Sequence, residues 1–153
     1  IDYGSNHPTT ILTISLSYTG EYIVSEELVL KRTAVSDIIE EIAKIFMRFK
    51  NMGIGLSTIY IDPSAVALKD EFVKQKISYT PALNSHQEGI GCIRNMLSLN
   101  KLFITSNCEG LIGEMYSYVF KNSSSGKDEV VKVNDDLVDA LRYGVYTDSV
   151  VGR

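Results

Sequence analysis

The chain has 153 residues, 44% of them hydrophobic, and a formal net charge of −4. That is enough apolar material for one domain with a real core, and the charge argues against a binder that relies on a strongly basic surface. With a mean hydropathy of +0.03 and no long apolar run, the sequence offers neither a membrane span nor a secretory signal. Cys92 and Cys108 are too few for a disulfide scaffold and lack metal-finger spacing, so they read as reduced thiols of an intracellular protein.

Ile1-Asp2-Tyr3 forms a stub of apparent strand running into Gly4. Residues 11–16 and 22–30 are β-rich runs joined by a turn at Tyr18-Thr19-Gly20-Glu21, and with the stub they predict a three-stranded meander. Between 35 and 50, Val35, Ile38, Ile39, Ile42, Ile45, Phe46 and Phe49 share one stripe of an amphipathic helix and read as core. Asn51-Met52-Gly53 ends that helix. Residues 58–61 form a short strand that stops at Asp62, where Pro63 opens the next helix, 65–75. Residues 77–82 read as extended, 88–99 as helix, 102–105 as strand and 107–118 as a capped helix. Residues 119–133 read as a hairpin with a mobile tip at Asn122-Ser123-Ser124-Ser125-Gly126. A final helix follows, with Asn134 as N-cap and Leu137, Val138, Leu141 and Val145 as its buried stripe. A meander followed by alternating strands and helices predicts an α/β fold, a mixed sheet flanked by helices.

The carboxylates are the chemically informative residues. Asp2 and Asp62 both stand at strand ends, where ligands gather in open α/β sheets. Asp135, Asp136 and Asp139 crowd the first turns of the last helix, at spacings that put them near one face. Acidic first turns are common because they suit the helix dipole. Two strand-end aspartates beside such a cluster suggest a cage for hard divalent cations, which relieve the repulsion.

Asp2-Tyr3-Gly4, then Asp62-Pro63-Ser64-Ala65, then Asn134-Asp135-Asp136-Leu137-Val138-Asp139-Ala140-Leu141-Arg142-Tyr143 resembles the nuclease domain of the large terminase subunit of tailed bacteriophages. Asn84 with Glu88-Gly89-Ile90, and Glu114-Met115-Tyr116-Ser117-Tyr118, resemble further segments of that family in the same order. Many members carry histidine directly after the first Asp of the last motif, where this chain has Asp136. Asp139 is thus the firm correspondence, and Asp136 is either an extra metal ligand or a decoration of the helix start.

The resemblance implies a ribonuclease H-like fold, in which the first and fourth strands are neighbours and the last helix crosses them. Asp2, Asp62 and Asp139 would then form the catalytic set for two-metal phosphodiester hydrolysis, with two Mg²⁺ or Mn²⁺ ions about 3.5–4 Å apart. In that scheme Asp2 bridges both ions, Asp62 holds one and Asp139 the other, with Asp135 or Asp136 auxiliary. The implied activity is endonucleolytic cutting of double-stranded viral DNA during genome packaging. It would take place in the host-cell cytoplasm, at the procapsid portal, with a small terminase subunit and an ATPase motor in cis. Residues 1–153 are expected to be a single nuclease domain excised from a longer chain, since the sequence starts inside an apparent strand. They hold no Gly-x-x-x-x-Gly-Lys-Ser/Thr loop, so no ATPase activity is assigned to them.

Two other functions compete: a junction resolvase or integrase-like nuclease, and a catalytically silent DNA-docking module. Several side chains have bland readings beside functional ones. His7 and His86 read as surface-loop residues. Lys121, Lys127 and Lys132 belong either to a solvated hairpin or to a contact with a DNA backbone. Glu114 reads as the partner of a nearby Lys or Arg, and Arg142 and Tyr143 as residues that pack or orient the last helix.

Overall fold

A computed structural model describes residues 1–120 and 135–152. Thr9–Leu16 (β1) and Tyr22–Leu30 (β2) pair antiparallel, Thr9 opposite Leu30 and Leu16 opposite Tyr22, with a register shift between Thr13 and Ile14. Leu102–Ile104 (β5) adds to β2 in parallel, with Tyr22 opposite Leu102. On the other edge, Asp2 forms an antiparallel bridge with Thr10. Its N–H donates to the Thr10 carbonyl at 3.0 Å and its carbonyl accepts from Thr10 at 2.9 Å.

The two-residue stub also meets Tyr60–Ile61 (β3). The Ile1 amino group donates to the Tyr60 carbonyl at 2.7 Å, and Asp62 N–H donates to the Ile1 carbonyl at 2.9 Å. Thr80–Pro81 (β4) then pairs with β3 in parallel. The stub therefore bridges the β1-β2-β5 and β3-β4 sheets and lies beside β3, the neighbours expected of the first and fourth strands when the stub is counted as the first.

Among the described residues five α-helices flank this arrangement: Val35–Asn51 (α1), Val66–Lys74 (α2), His86–Ser98 (α3), Glu109–Met115 (α4) and Asp136–Val151 (α5). They bury two apolar clusters. One joins Tyr22, Val24, Ile93, Leu111, Leu141 and Val145 under α3, α4 and α5. The other joins Ile1, Ile38, Ile42, Ile61, Leu68 and Phe72 under α1 and α2. The predicted α5 stripe of Leu137, Val138, Leu141 and Val145 is buried throughout.

Three local expectations differ. In α1, Ile38, Ile39 and Ile42 are buried, but Phe46 is 38% exposed. Phe46 lines a cavity together with Ile42, Leu56 and the β1 residues Ile11 and Ile14 instead of packing into the core. Pro63 and Ser64 form a turn, and α2 starts only at Val66. The helix read as 107–118 is α4, with no side-chain cap from its flanking residue Cys108, continued by a wider π-helical turn over Tyr116–Phe120. That turn takes residues 119 and 120 out of the expected hairpin. The remaining hairpin residues, with Lys121, Lys127 and Lys132, and the Asn134 cap lie outside the described residues.

Candidate metal centre

Asp2 is the centre of the acid set. It is only 5% exposed, fixed on both sides by its backbone hydrogen bonds to β1 and by its neighbour's bonds to β3. Burial pushes its carboxyl up to about 7, and the nearby charges of Asp139, Asp62 and Asp136 push the same way, while His7 opposes them. Three carboxylates from distant parts of the chain therefore act on this one. Asp62 arrives from the end of β3; Asp136 and Asp139 arrive from the first turn of α5.

Each acid also has local partners. Asp62 accepts Ser64 N–H on Oδ1 at 2.8 Å and the Ser64 hydroxyl on Oδ2 at 2.7 Å, which shapes the turn into α2. Thr10 Oγ1 donates to the Asp136 carbonyl at 2.8 Å and ties the start of α5 to β1. Arg142 reaches back one turn to Asp139 Oδ1, with Nε at 3.1 Å and Nη2 at 3.0 Å. Asp135 is the residue before α5, and its charge acts on Glu114, Asp136 and Tyr118.

His7 lies in an exposed loop, as its sequence reading has it, and it also reaches the acid set. Its Nδ1 lies 3.0 Å from Asp136 Oδ1, and ligand atoms of Asp2, His7 and Asp136 lie within 4.8 Å of one another. The fold of the loop explains this. A Cβ on Gly4 would come 2.6 Å from His7 Nδ1, so only glycine lets the loop close this tightly over Asp2.

Glu114 departs from its sequence reading. Instead of pairing with a cation, one carboxylate oxygen accepts the N–H groups of Leu137 and Val138 at 2.9 and 3.0 Å. It caps α5 from another helix, and burial raises it to about 7 in spite of those bonds. Nothing local in the sequence signals a cap supplied 23 residues upstream. His86 opens α3 and shares a hydrogen bond with the Tyr118 hydroxyl, whose pKa is raised by burial and by Asp139. The Tyr143 hydroxyl donates to Asn84 Oδ1 at 3.2 Å, linking the segment before α3 to α5.

Among the described residues Asp2, His7 and Asp136 bring ligand atoms close enough together for a hard divalent cation, and Asp62 and Asp139 lie outside that group. Its donors are carboxylate oxygens with one imidazole, and a bound cation removes the penalty that burial and like charge impose on Asp2. A separate cavity of about 280 Å³ is lined by Ile11, Ile14, Ile42, Phe46 and Leu56, with Asp148 its single acid. Asp148 is held there by the hydroxyls of Tyr22 and Tyr60, and no member of the acid set lines the cavity.

No protein-family model matches the chain. It is 27% identical over 155 residues to the large terminase subunit of Escherichia phage T5, a match covering 96% of this chain. It superposes on the large terminase of a thermophilic bacteriophage with a TM-score of 0.79 at 25% identity over 98% of its length. The chain is similar to phage large terminases in sequence and in fold.

It spans about a third of those relatives, 34% of the T5 protein and 38% of the thermophilic phage's chain. The P22 large terminase nuclease domain gives a TM-score of 0.70 at 19% identity, with 97% of this chain and 78% of that one covered. The mixed sheet flanked by helices is therefore an architecture shared with a terminase nuclease domain. Among the described residues, no helix is long and apolar enough to cross a membrane.

Proposed function

We propose that this chain is a metal-dependent endonuclease domain that cuts double-stranded viral DNA during genome packaging. One observation carries the reading: in a fold shared with a terminase nuclease domain, Asp62, Asp136 and Asp139 converge electrostatically on buried Asp2. The ions expected there, two Mg²⁺ or Mn²⁺, would activate water and offset charge on the scissile phosphate and the leaving oxygen.

The chain's own residues set the geometry. Asp2 is assigned the bridging position because it is buried, as Asp62 is, and the charges of Asp139, Asp62 and Asp136 all act on it. Asp62 and Asp139 approach from different elements and are assigned one ion each, with Asp136 auxiliary. Asp135 is better placed as a helix-start residue. Sequence preference should be slight, since nothing described resembles an element that reads base edges. The adjoining ATPase motor, the portal and the small subunit are the proposed partners, with action in the host-cell cytoplasm at the procapsid.

A silent DNA-docking module is the second reading, since Ser64 hydrogen-bonds each of the Asp62 carboxylate oxygens and gives that acid a turn-forming role of its own. Incubation with supercoiled plasmid separates the two. Nicking and linearisation in Mn²⁺ or Mg²⁺, absent in EDTA and in a folded Asp139→Ala variant, support the nuclease. A folded chain that binds DNA equally with and without metal, and never cuts it, supports docking.

A further inference from the structure

Arg142 is 2% exposed, yet its Nη1 has no hydrogen-bond partner among the described residues. Packing alone does not favour a buried guanidinium with an unmet donor, so its retention calls for an explanation. Two further contacts fix the side chain. A Cβ on Gly89 would lie 2.6 Å from Arg142 Cδ and closer still to Cγ, so the stem runs through space that only glycine leaves open. The guanidinium carbon then sits 4.4 Å from the centre of the Tyr143 ring. Threaded this way, Arg142 donates Nε–H to Asp139 Oδ1 at 3.1 Å and brings Nη2 to 3.0 Å from the same oxygen, with no Arg142 hydrogen bond to Oδ2 among the described residues.

We propose that Arg142 is a positioning residue for the metal centre, held by Gly89, and that it turns Asp139 so that Oδ2 serves as the cation ligand. The inference rests on the metal-dependent reading above. Ligand carboxylates are oriented by hydrogen bonds of this kind, and loss of such a partner weakens metal binding or activity by about 10–100-fold. Lysine supplies the charge without the two-pronged geometry, so Arg142→Lys restores folding better than it restores ligation.

The test is Mn²⁺ binding, by calorimetry and by the electron paramagnetic resonance of the bound ion. It uses the parent chain, Gly89→Ala, Arg142→Lys and Arg142→Met, with circular dichroism to identify folded samples. Folded Gly89→Ala and Arg142→Lys are expected to bind Mn²⁺ about tenfold more weakly. Their plasmid nicking should recover as Mn²⁺ is raised, because a misaimed ligand is compensated by mass action and a damaged fold is not. If both conservative variants fold and bind Mn²⁺ like the parent, the positioning role is overturned, whatever Arg142→Met does. A parent chain that binds Mn²⁺ without cutting DNA sinks the nuclease reading but leaves the positioning role intact. A parent chain that binds no Mn²⁺ overturns both.

Discussion

Asp2 is held by the backbone in a place where its own charge is unwelcome. Its carboxyl stands at about 7 against an ordinary 3.8, and Glu114 stands at about 7 against 4.5. In both, the fold prefers the protonated acid, so the folded state binds protons that the unfolded chain has released. These two acids lower stability as pH rises from about 4 to about 7, and the buried Ile1 amino group, lowered from 8.0 to about 6, offsets part of that loss above pH 6. In EDTA the chain is expected to melt at least ~3 °C higher at pH 5 than at pH 8, and Mn²⁺ should erase most of the difference at pH 8. A melting temperature that is flat or rising between those pH values in EDTA contradicts the crowding. Asp62 makes a cleaner substitution, because an asparagine keeps an acceptor for Ser64 N–H. Asp62→Asn is expected to abolish plasmid nicking while shifting stability by less than about 1 kcal/mol; nicking at the parent rate would remove Asp62 from the centre.

At the scale of elements, two glutamates cap helices to which they do not belong. Glu27, on β2, accepts Gly110 N–H and Leu111 N–H at 2.8 Å each and so closes the start of α4. Glu114, on α4, closes α5 through Leu137 and Val138. Neither helix has a side-chain cap from its own flanking residue, so these long-range acceptors satisfy donors that would otherwise stay open. Glu114→Ala is expected to lower stability by about 2 kcal/mol in a denaturant titration, and Glu114→Gln, which keeps the acceptor, by under about 1 kcal/mol. Equal losses in the two variants would assign the effect to buried volume instead of capping. Because α5 carries Asp136 and Asp139, a frayed first turn should also weaken Mn²⁺ binding in Glu114→Ala.

For the whole molecule, the acids sit at the seam between two apolar clusters. Ile1 and Ile61 precede Asp2 and Asp62 and belong to the α1–α2 cluster, whereas Val138 and Leu141 flank Asp139 and belong to the other. Cations bound across that seam would staple the clusters together. Mn²⁺ at 100 times its dissociation constant should add about 2.7 kcal/mol per site to the unfolding free energy. Removing Phe72, fully buried in the α1–α2 cluster, should cost about 3–5 kcal/mol as Phe72→Ala. If the seam is coupled to both cores, Mn²⁺ should raise the single transition of that variant too. Two separate transitions, only one of them shifted by Mn²⁺, would show that the clusters unfold independently.

The order of the strands and helices, the α5 stripe and the identity of the candidate acids were legible in the sequence. These are local signals: apolar periodicity repeats within a turn or two of chain, and Asp2 and Asp62 announce themselves by ending β-rich runs. Motif order along the chain was legible as well, and it pointed to the phage large terminases that the chain matches in sequence and fold. Which groups meet was decided only by the tertiary structure. His7 comes against Asp136 across most of the chain, Glu114 caps a helix that begins 22 residues later, and Arg142 finds its path because Gly89 lacks a side chain. Such contacts depend on how separate elements pack, and side-chain spacing along one element carries no record of its neighbours. The exposed Phe46 arises the same way: its periodicity was sound, but it faces a cavity lined also by residues of β1.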